Sequence, residues 1–154
     1  MLKHCDVHDT ALSRGPDYVF HLIVDDIVDG YVPLAEQFDE VLDDVEHKIF
    51  NDYSSVSLQI ILSLKKNITR LRNLMIHQRE VLNRMSRGDF ELISEQESFY
   101  YRNVYDHLVR MAELTESYRD VISGIIDAYL TVNANRMNKV MKTLTVISRS
   151  EDVV

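Results

Sequence analysis

What the chain lacks bounds it first. Its 154 residues include no tryptophan, a single cysteine, two prolines and four glycines. Turn residues this scarce exclude an all-β protein, which needs them about every ten positions. The glycines stand far apart, at 15, 30, 88 and 124, so they build neither a dinucleotide fingerprint nor a phosphate-cradling loop. One cysteine forms no disulfide framework and no cysteine zinc site, which points to a reducing compartment. Long hydrophobic runs are missing too. The densest, Tyr18-Val19-Phe20-His21-Leu22-Ile23-Val24, is interrupted by histidine and followed by Asp25-Asp26, well short of the roughly 18 residues of a membrane span. Met1-Leu2-Lys3-His4-Cys5-Asp6 has no apolar core and does not read as a signal peptide. The chain by itself is expected to be soluble. Positive charge is also in deficit: 17 Lys and Arg face 25 Asp and Glu, a net charge of -8 that argues against a nucleic-acid partner.

What is present is unevenly spread. Residues 1–52 carry 13 acids against 3 Lys or Arg, residues 53–87 one acid (Glu80) against 7, and residues 88–154 11 against 7. An acidic segment running straight into a basic one predicts two elements lying side by side. Helical periodicity dominates all three. Ile61, Leu64, Ile68, Leu71, Met75, Gln78, Leu82 and Met85 recur at alternating spacings of three and four, a heptad seam with Gln78 its only polar member. Val104, Leu108, Met111, Thr115, Tyr118, Ile122, Ile125, Tyr129 and Val132 repeat the pattern, and Phe20, Ile23, Ile27, Tyr31, Leu34, Phe38, Val41, Val45 and Ile49 follow it more loosely. The predicted fold is all-α: three long antiparallel helices.

The boundaries have local causes. Pro16, after Gly15, suits a first helical position, where its missing N–H would be unpaired anyway. Asn51-Asp52-Tyr53-Ser54-Ser55 separates the first helix from the second, with Ser54 or Ser55 able to cap the latter. Gly88 follows the basic turn of Arg84 and Arg87 and suits a left-handed cap. Ser94 and Glu97 then form a capping box. No proline interrupts the third helix before about Ser148, although Gly124 weakens it, so it spans about 54 residues or roughly 80 Å and must project beyond its partners. Pro33 should bend the first helix near Gly30. This organises the chain as an N-terminal tail (1–15), a helical bundle with its extended helix (16–148) and a polar tail (149–154).

Several constellations could carry chemistry, each with a plainer reading. Asp44-Val45-Glu46-His47 approaches the Glu-x-x-His of di-iron bundles, but no second copy pairs with it. His4, Cys5 and His8 could clamp a soft metal, yet they lie at a terminus without a fourth ligand. Lys65, Arg72 and Arg79 form a basic stripe that suits phosphate. Without interleaved aromatics, its plainer fate is pairing with Glu36, Asp39, Asp43, Asp44 and Glu46. Asn103, Asp106 and His107 share one turn, and Asp25, Asp26 and Asp29 another; such oxygen clusters hold hard cations or are simply solvated faces. Finally, Asp127, Leu130, Ala134, Asn138, Met141 and Leu144 line one face of the third helix. A packed core rarely takes an unpaired Asp and Asn, whereas rings of them about a symmetry axis make a narrow wet pore. No nucleophile, base or cofactor motif suggests an enzyme.

At this point the residues become recognisable. Tyr100-Tyr101-Arg102-Asn103-Val104-Tyr105-Asp106-His107, Tyr118-Arg119-Asp120-Val121-Ile122-Ser123-Gly124 and Asn135-Arg136-Met137-Asn138-Lys139-Val140-Met141-Lys142-Thr143-Leu144-Thr145-Val146-Ile147 resemble the stalk helix of the CorA-type magnesium/cobalt transporters. Asp25-Asp26-Ile27-Val28-Asp29-Gly30-Tyr31 and Arg79-Glu80-Val81-Leu82 resemble the two shorter helices that precede it. The resemblance runs from about Ser13 to Ser148 and covers the cytoplasmic helical and stalk region.

It implies a homopentameric, channel-like transporter of the inner cell membrane for Mg2+ and also Co2+. The ion is both cargo and regulator: the closed bundle loosens when its cytoplasmic sites empty. The positions matching the pore-facing residues are Asp127, Leu130, Ala134, Asn138, Met141 and Leu144. Those matching cation-site residues are Asp25 and Asn103, with Asp106 beside the latter. Asn103 stands where the family carries aspartate, and an amide ligates more weakly than a carboxylate, so sensing should weaken or shift to Asp106 or Asp25. The family's N-terminal α/β domain, its membrane helices and its Gly-Met-Asn signature find no counterpart here, and Arg149-Ser150-Glu151-Asp152-Val153-Val154 stands where the first span should continue. The expectation is therefore a partial transporter, not transport-competent alone, that serves assembly, cation sensing and the pore's cytoplasmic funnel. The alternative is a free-standing helical interaction or regulatory module.

Overall fold

The computed structural model describes residues 13–53 and 56–151. Helix α1 spans Pro16–Asp29, α2 Tyr31–Asn51, α3 Leu58–Ser86 and α4 Glu95–Glu151. These make three passes, up, down and up, with no strand among the described residues. The last helix is 57 residues long, or about 85 Å.

The expected bend in the first pass is a break. Pro33 offers no N–H to the carbonyl of Asp29, and the helix divides at Gly30, whose own N–H still donates to the Asp26 carbonyl at 3.1 Å. Pro16 opens α1 as expected, preceded by Gly15 at φ 115°, a conformation open in practice to glycine alone. Ser54 and Ser55, expected to cap the middle helix, lie outside the described residues. Ser57 caps it, its hydroxyl accepting the Ile60 N–H at 3.4 Å. Gly88, at φ 74°, closes α3 with the paired bonds of a Schellman turn: Gly88 N–H to Met85 carbonyl and Asp89 N–H to Arg84 carbonyl, each 3.1 Å.

The packing seams follow the heptads of α3 and α4. Ile61, Ile68, Met75 and Leu82 are buried, while Leu64, Leu71, Gln78 and Met85 are half-buried. The difference is geometric, because α4 covers α3 from one side only. Gln78, the polar member, is satisfied by the Tyr31 hydroxyl, which donates to its Oε1 at 2.7 Å.

The first pass corrects the expected stripe. Its core-facing seam is His21, Val24, Val28, Tyr31, Ala35, Phe38, Leu42, Val45 and Ile49, which holds its three-four spacing across Gly30. Phe20, Ile23, Ile27, Leu34 and Val41 are exposed. The true seam contains a histidine and an alanine, so choosing the bulkiest apolar residues selects the neighbouring register instead. Phe20, Ile27, Leu34 and Val41, seven apart, form a second, outward stripe.

The acidic and basic helices also do not pair as expected. Both passes lean on α4, and direct packing between them is slight. Arg72 pairs with Glu116 on α4, and Asp44 with Lys48 of its own helix at 2.6 Å. No ion pair joins Lys65 or Arg79 to an acid among the described residues. Between α1 and α3 lies an apolar groove of about 310 Å³, lined by Phe20, Val24, Ile27, Val28, Val81, Leu82 and Met85. The whole bundle lies alongside the first two-thirds of α4. Beyond Val132 every residue to Arg149 is exposed.

Candidate functional site

The start of α4 is fastened to the start of α1 by a network that begins as the expected capping box. The Ser94 hydroxyl accepts the Glu97 N–H at 3.2 Å. In a full box Glu97 would return to the Ser94 N–H; here Asp17 of α1 takes that N–H at 3.2 Å. Glu97 is thereby released to Arg14, whose guanidinium donates to Oε1 at 3.0 Å and lies 3.8 Å from the Tyr18 ring centroid. The Tyr101 hydroxyl donates to the Asp17 carbonyl at 2.9 Å. Bonding to the Ser94 N–H holds the Asp17 carboxyl below its ordinary range. Burial, with the nearby carboxylates of Asp17 and Glu97, pushes the Tyr101 phenol up to about 12.

His21 sits inside this joint, buried among the rings of Tyr18, Tyr100 and Tyr101 at centroid distances of 5.4 to 5.9 Å. Burial depresses its basicity, while Asp25 and Glu97 pull the other way. Its Nδ1 and the Glu97 Oε2 are buried without a protein partner. Sequence reasoning passed over this cluster. Its available signal was the aromatic run Phe99-Tyr100-Tyr101, one turn after the cap.

Of the residues expected to handle cations, Asp25 is half-buried on α1, and Asn103 and Asp106 are exposed on α4. His107, one residue further on, turns instead to Asp29, with Nδ1 3.1 Å from Oδ1. Among the described residues no three His, Cys, Asp or Glu side chains converge as a metal site within one chain.

The expected pore-facing stripe lies about 36 Å further along α4, counting from Asn103 to Asp127. Asp127, Leu130, Ala134, Asn138, Met141 and Leu144 are all exposed. Thr131 donates to the Asp127 backbone carbonyl at 2.9 Å, leaving the carboxylate outward. The opposite face is held through Tyr129 and Val132, which pack against the core. Past them, Met137, Val140, Met141, Leu144 and Val146 are at least 58% exposed, an apolar surface left open by the described residues. No helix among the described residues is long and apolar enough to cross a membrane.

Residues 2–149 match the family described as CorA-like Mg2+ transporter protein. The chain is 36% identical over 136 residues to the cobalt/magnesium transport protein CorA of Thermotoga maritima, covering 88% of this chain and 39% of that protein. It is 32% identical over 137 residues to YfjQ of Bacillus subtilis, covering 89% and 43%. With the cobalt/magnesium transport protein CorA of Methanocaldococcus jannaschii it shares 22% over 138 residues, covering 90% and 44%. The chain thus spans less than half the length of these relatives. A match over nearly every residue, on the helices described above, leaves one conclusion: the chain belongs to the CorA-like Mg2+ transporter family, a family of transport proteins and not of enzymes.

Proposed function

We propose that the chain supplies the helical and stalk portion of a divalent-cation transporter for Mg2+ and Co2+, working as a pentamer at the cytoplasmic face of the cell membrane. The observation that carries this reading is the exposed stripe on α4. It holds Asp127 and Asn138 among Leu130, Ala134, Met141 and Leu144, on a helix that leaves its own bundle after Val132. An isolated helix exposing this much apolar surface is held by association rather than by propensity.

Five copies about an axis would bring each stripe residue into a ring. A ring of Asp127 carboxylates concentrates cations at the mouth, and Asn138 amide oxygens replace part of the water held by the ion. Leu130, Met141 and Leu144 form apolar constrictions that dry when the rings close. Asp25, Asn103 and Asp106 are the sensing residues in this reading. Because none converges with others within one chain, the cation would bridge neighbouring copies and bind tightly only in the closed assembly. Occupancy then favours that state by linkage.

Sedimentation velocity of the full chain with and without Mg2+ tests the proposal. The expected result is a Mg2+-promoted shift from monomer to a larger species, weakened by Asp127→Asn together with Asn138→Ala. A chain that stays monomeric at high concentration in saturating Mg2+ refutes assembly and sensing by this segment.

A further inference from the structure

The turn between α2 and α3 reaches across to α4 at the point where the long helix leaves the bundle. The Tyr53 ring stacks on Tyr129, with centroids 4.9 Å apart and planes 23° from parallel. The Arg136 guanidinium lies over the same Tyr53 ring, 4.8 Å from its centroid. The turn itself is tied down. The Asp52 N–H donates to the Lys48 carbonyl at 2.8 Å, and the Val56 N–H to the Tyr53 carbonyl at 3.2 Å.

Azimuth gives this contact its meaning. Tyr129 and Arg136 are seven residues apart and so share one face of α4, whereas Ala134 and Asn138 lie about 140° and 180° around from Tyr129. The grip therefore holds the side of the helix opposite Asp127, Ala134 and Asn138. Beyond it, residues 137–149 are exposed.

We propose that Tyr53 is a positioning residue that sets the direction and rotation of the last third of α4, so that a shift of the α1–α3 bundle turns the face bearing Ala134 and Asn138. The consequence for ion passage rests on the transport reading above; the grip itself does not. The helix beyond the grip is continuous, so a change of direction or rotation at Tyr129 and Arg136 carries to the residues that follow, while the part packed in the core through Tyr118, Ile122 and Ile125 stays in place. An aromatic stack joined by a cation over one of its rings needs no deep burial, and half-buried Tyr53 can release without unfolding the core.

Spin-label distances within the full chain test it. In a Cys5→Ser background, nitroxides are placed at Asp43→Cys on α2 and Lys142→Cys on α4, and diluted with unlabelled chain so that only intramolecular distances are read. A control pair, Asp43→Cys with Glu113→Cys, lies within the bundle. The expected result is one narrow distribution for the Asp43–Lys142 pair, broadened by Tyr53→Ala as the held population falls about fivefold. Tyr53→Phe, which keeps the ring, should restore it, and the control pair should not move. Arg136→Ala, on an exposed helix surface, should broaden the same pair and carries the test if Tyr53→Ala lowers helicity. An unchanged Asp43–Lys142 distribution in both alanine variants overturns the proposal. So does equal broadening of the control pair, which would report a loosened core. Absence of Mg2+-dependent assembly leaves these distances as they are and bears only on the transport reading.

Discussion

Ile122 and Leu144 are aliphatic residues on the same continuous helix, and truncating each should have opposite consequences. Ile122 is fully buried beside Leu42, Val45, Ile49, Ile61 and Ile68. Ile122→Ala removes three carbons at about 0.8 kcal/mol each, or about 2.4 kcal/mol of transfer free energy. The surrounding residues belong to two other helices and cannot all close in, so the residual cavity raises the loss to about 3–4 kcal/mol. In urea, with a slope of about 2 kcal/mol/M, the midpoint should fall by about 1.5–2 M. The thermal midpoint should fall by about 10 °C. Leu144 is 58% exposed, and Leu144→Ala should stay within about 0.5 kcal/mol of the parent. The assay is urea unfolding followed by circular dichroism, at concentrations too low for self-association, since assembly would cover Leu144. Equal shifts in the two variants would refute the packing argument, as would an Ile122→Ala midpoint unmoved from the parent.

The remaining expectations probe the joint, the caps and the cation sites. His21 is held below its unfolded value of about 6.5 by burial, so on acidification through that value the unfolded chain takes up the proton first. Stability is therefore present above about pH 6.5 and lost as pH falls toward the lower folded value. His21→Phe should flatten the change in urea midpoint between about pH 7.5 and 5.5, and an identical slope in the variant would rule the residue out as its source. Gly88, at φ 74°, has only Ser98 Oγ near its missing Cβ, at 3.5 Å, so Gly88→Ala should cost about 1 kcal/mol through backbone strain alone. Gly124 has nothing within 4 Å, and Gly124→Ala should stabilise by about 0.5–1 kcal/mol; unfolding midpoints of the same sign would contradict that contrast. Asn103→Asp places a carboxylate at a position proposed to sense the cation and should lower, several-fold, the Mg2+ concentration needed for association in sedimentation. An unaltered Mg2+ dependence would remove Asn103 from the sensing residues.

Much of this fold is legible along the chain because its helices announce themselves locally. Pro16, Gly88 and Ser94 punctuate them by backbone chemistry that needs no partner. The heptads of α3 and α4 are legible for a related reason: a seam of about one residue per turn is a property of a single helix. The first pass is harder to read because two apolar stripes compete, one through Phe20, Ile27, Leu34 and Val41, the other through His21, Val28, Tyr31 and Leu42. Side-chain size favours the former, and only the position of α4 selects the latter. The same holds for charge. Opposite net charge in successive segments predicts attraction, yet Arg72 reaches Glu116 on α4 because apolar contact with α4 has already fixed where α2 and α3 lie.

The stripe on α4 shows where the division falls. Asp127, Leu130, Ala134, Asn138, Met141 and Leu144 share a face by helical period alone, so their alignment, the length of the helix and the family resemblance were all present in the order of residues. What tertiary structure decided is which part of that helix is covered. The bundle ends at Val132, Tyr53 holds the back of the helix there, and the stripe is left facing outward. The joint of Arg14, Asp17, His21 and Glu97 was decided the same way, since it joins residues about 80 positions apart in sequence. Period and capping act over a few residues and can be read along the chain. Burial and pairing between distant residues depend on which surfaces meet, and that is settled only when the helices pack.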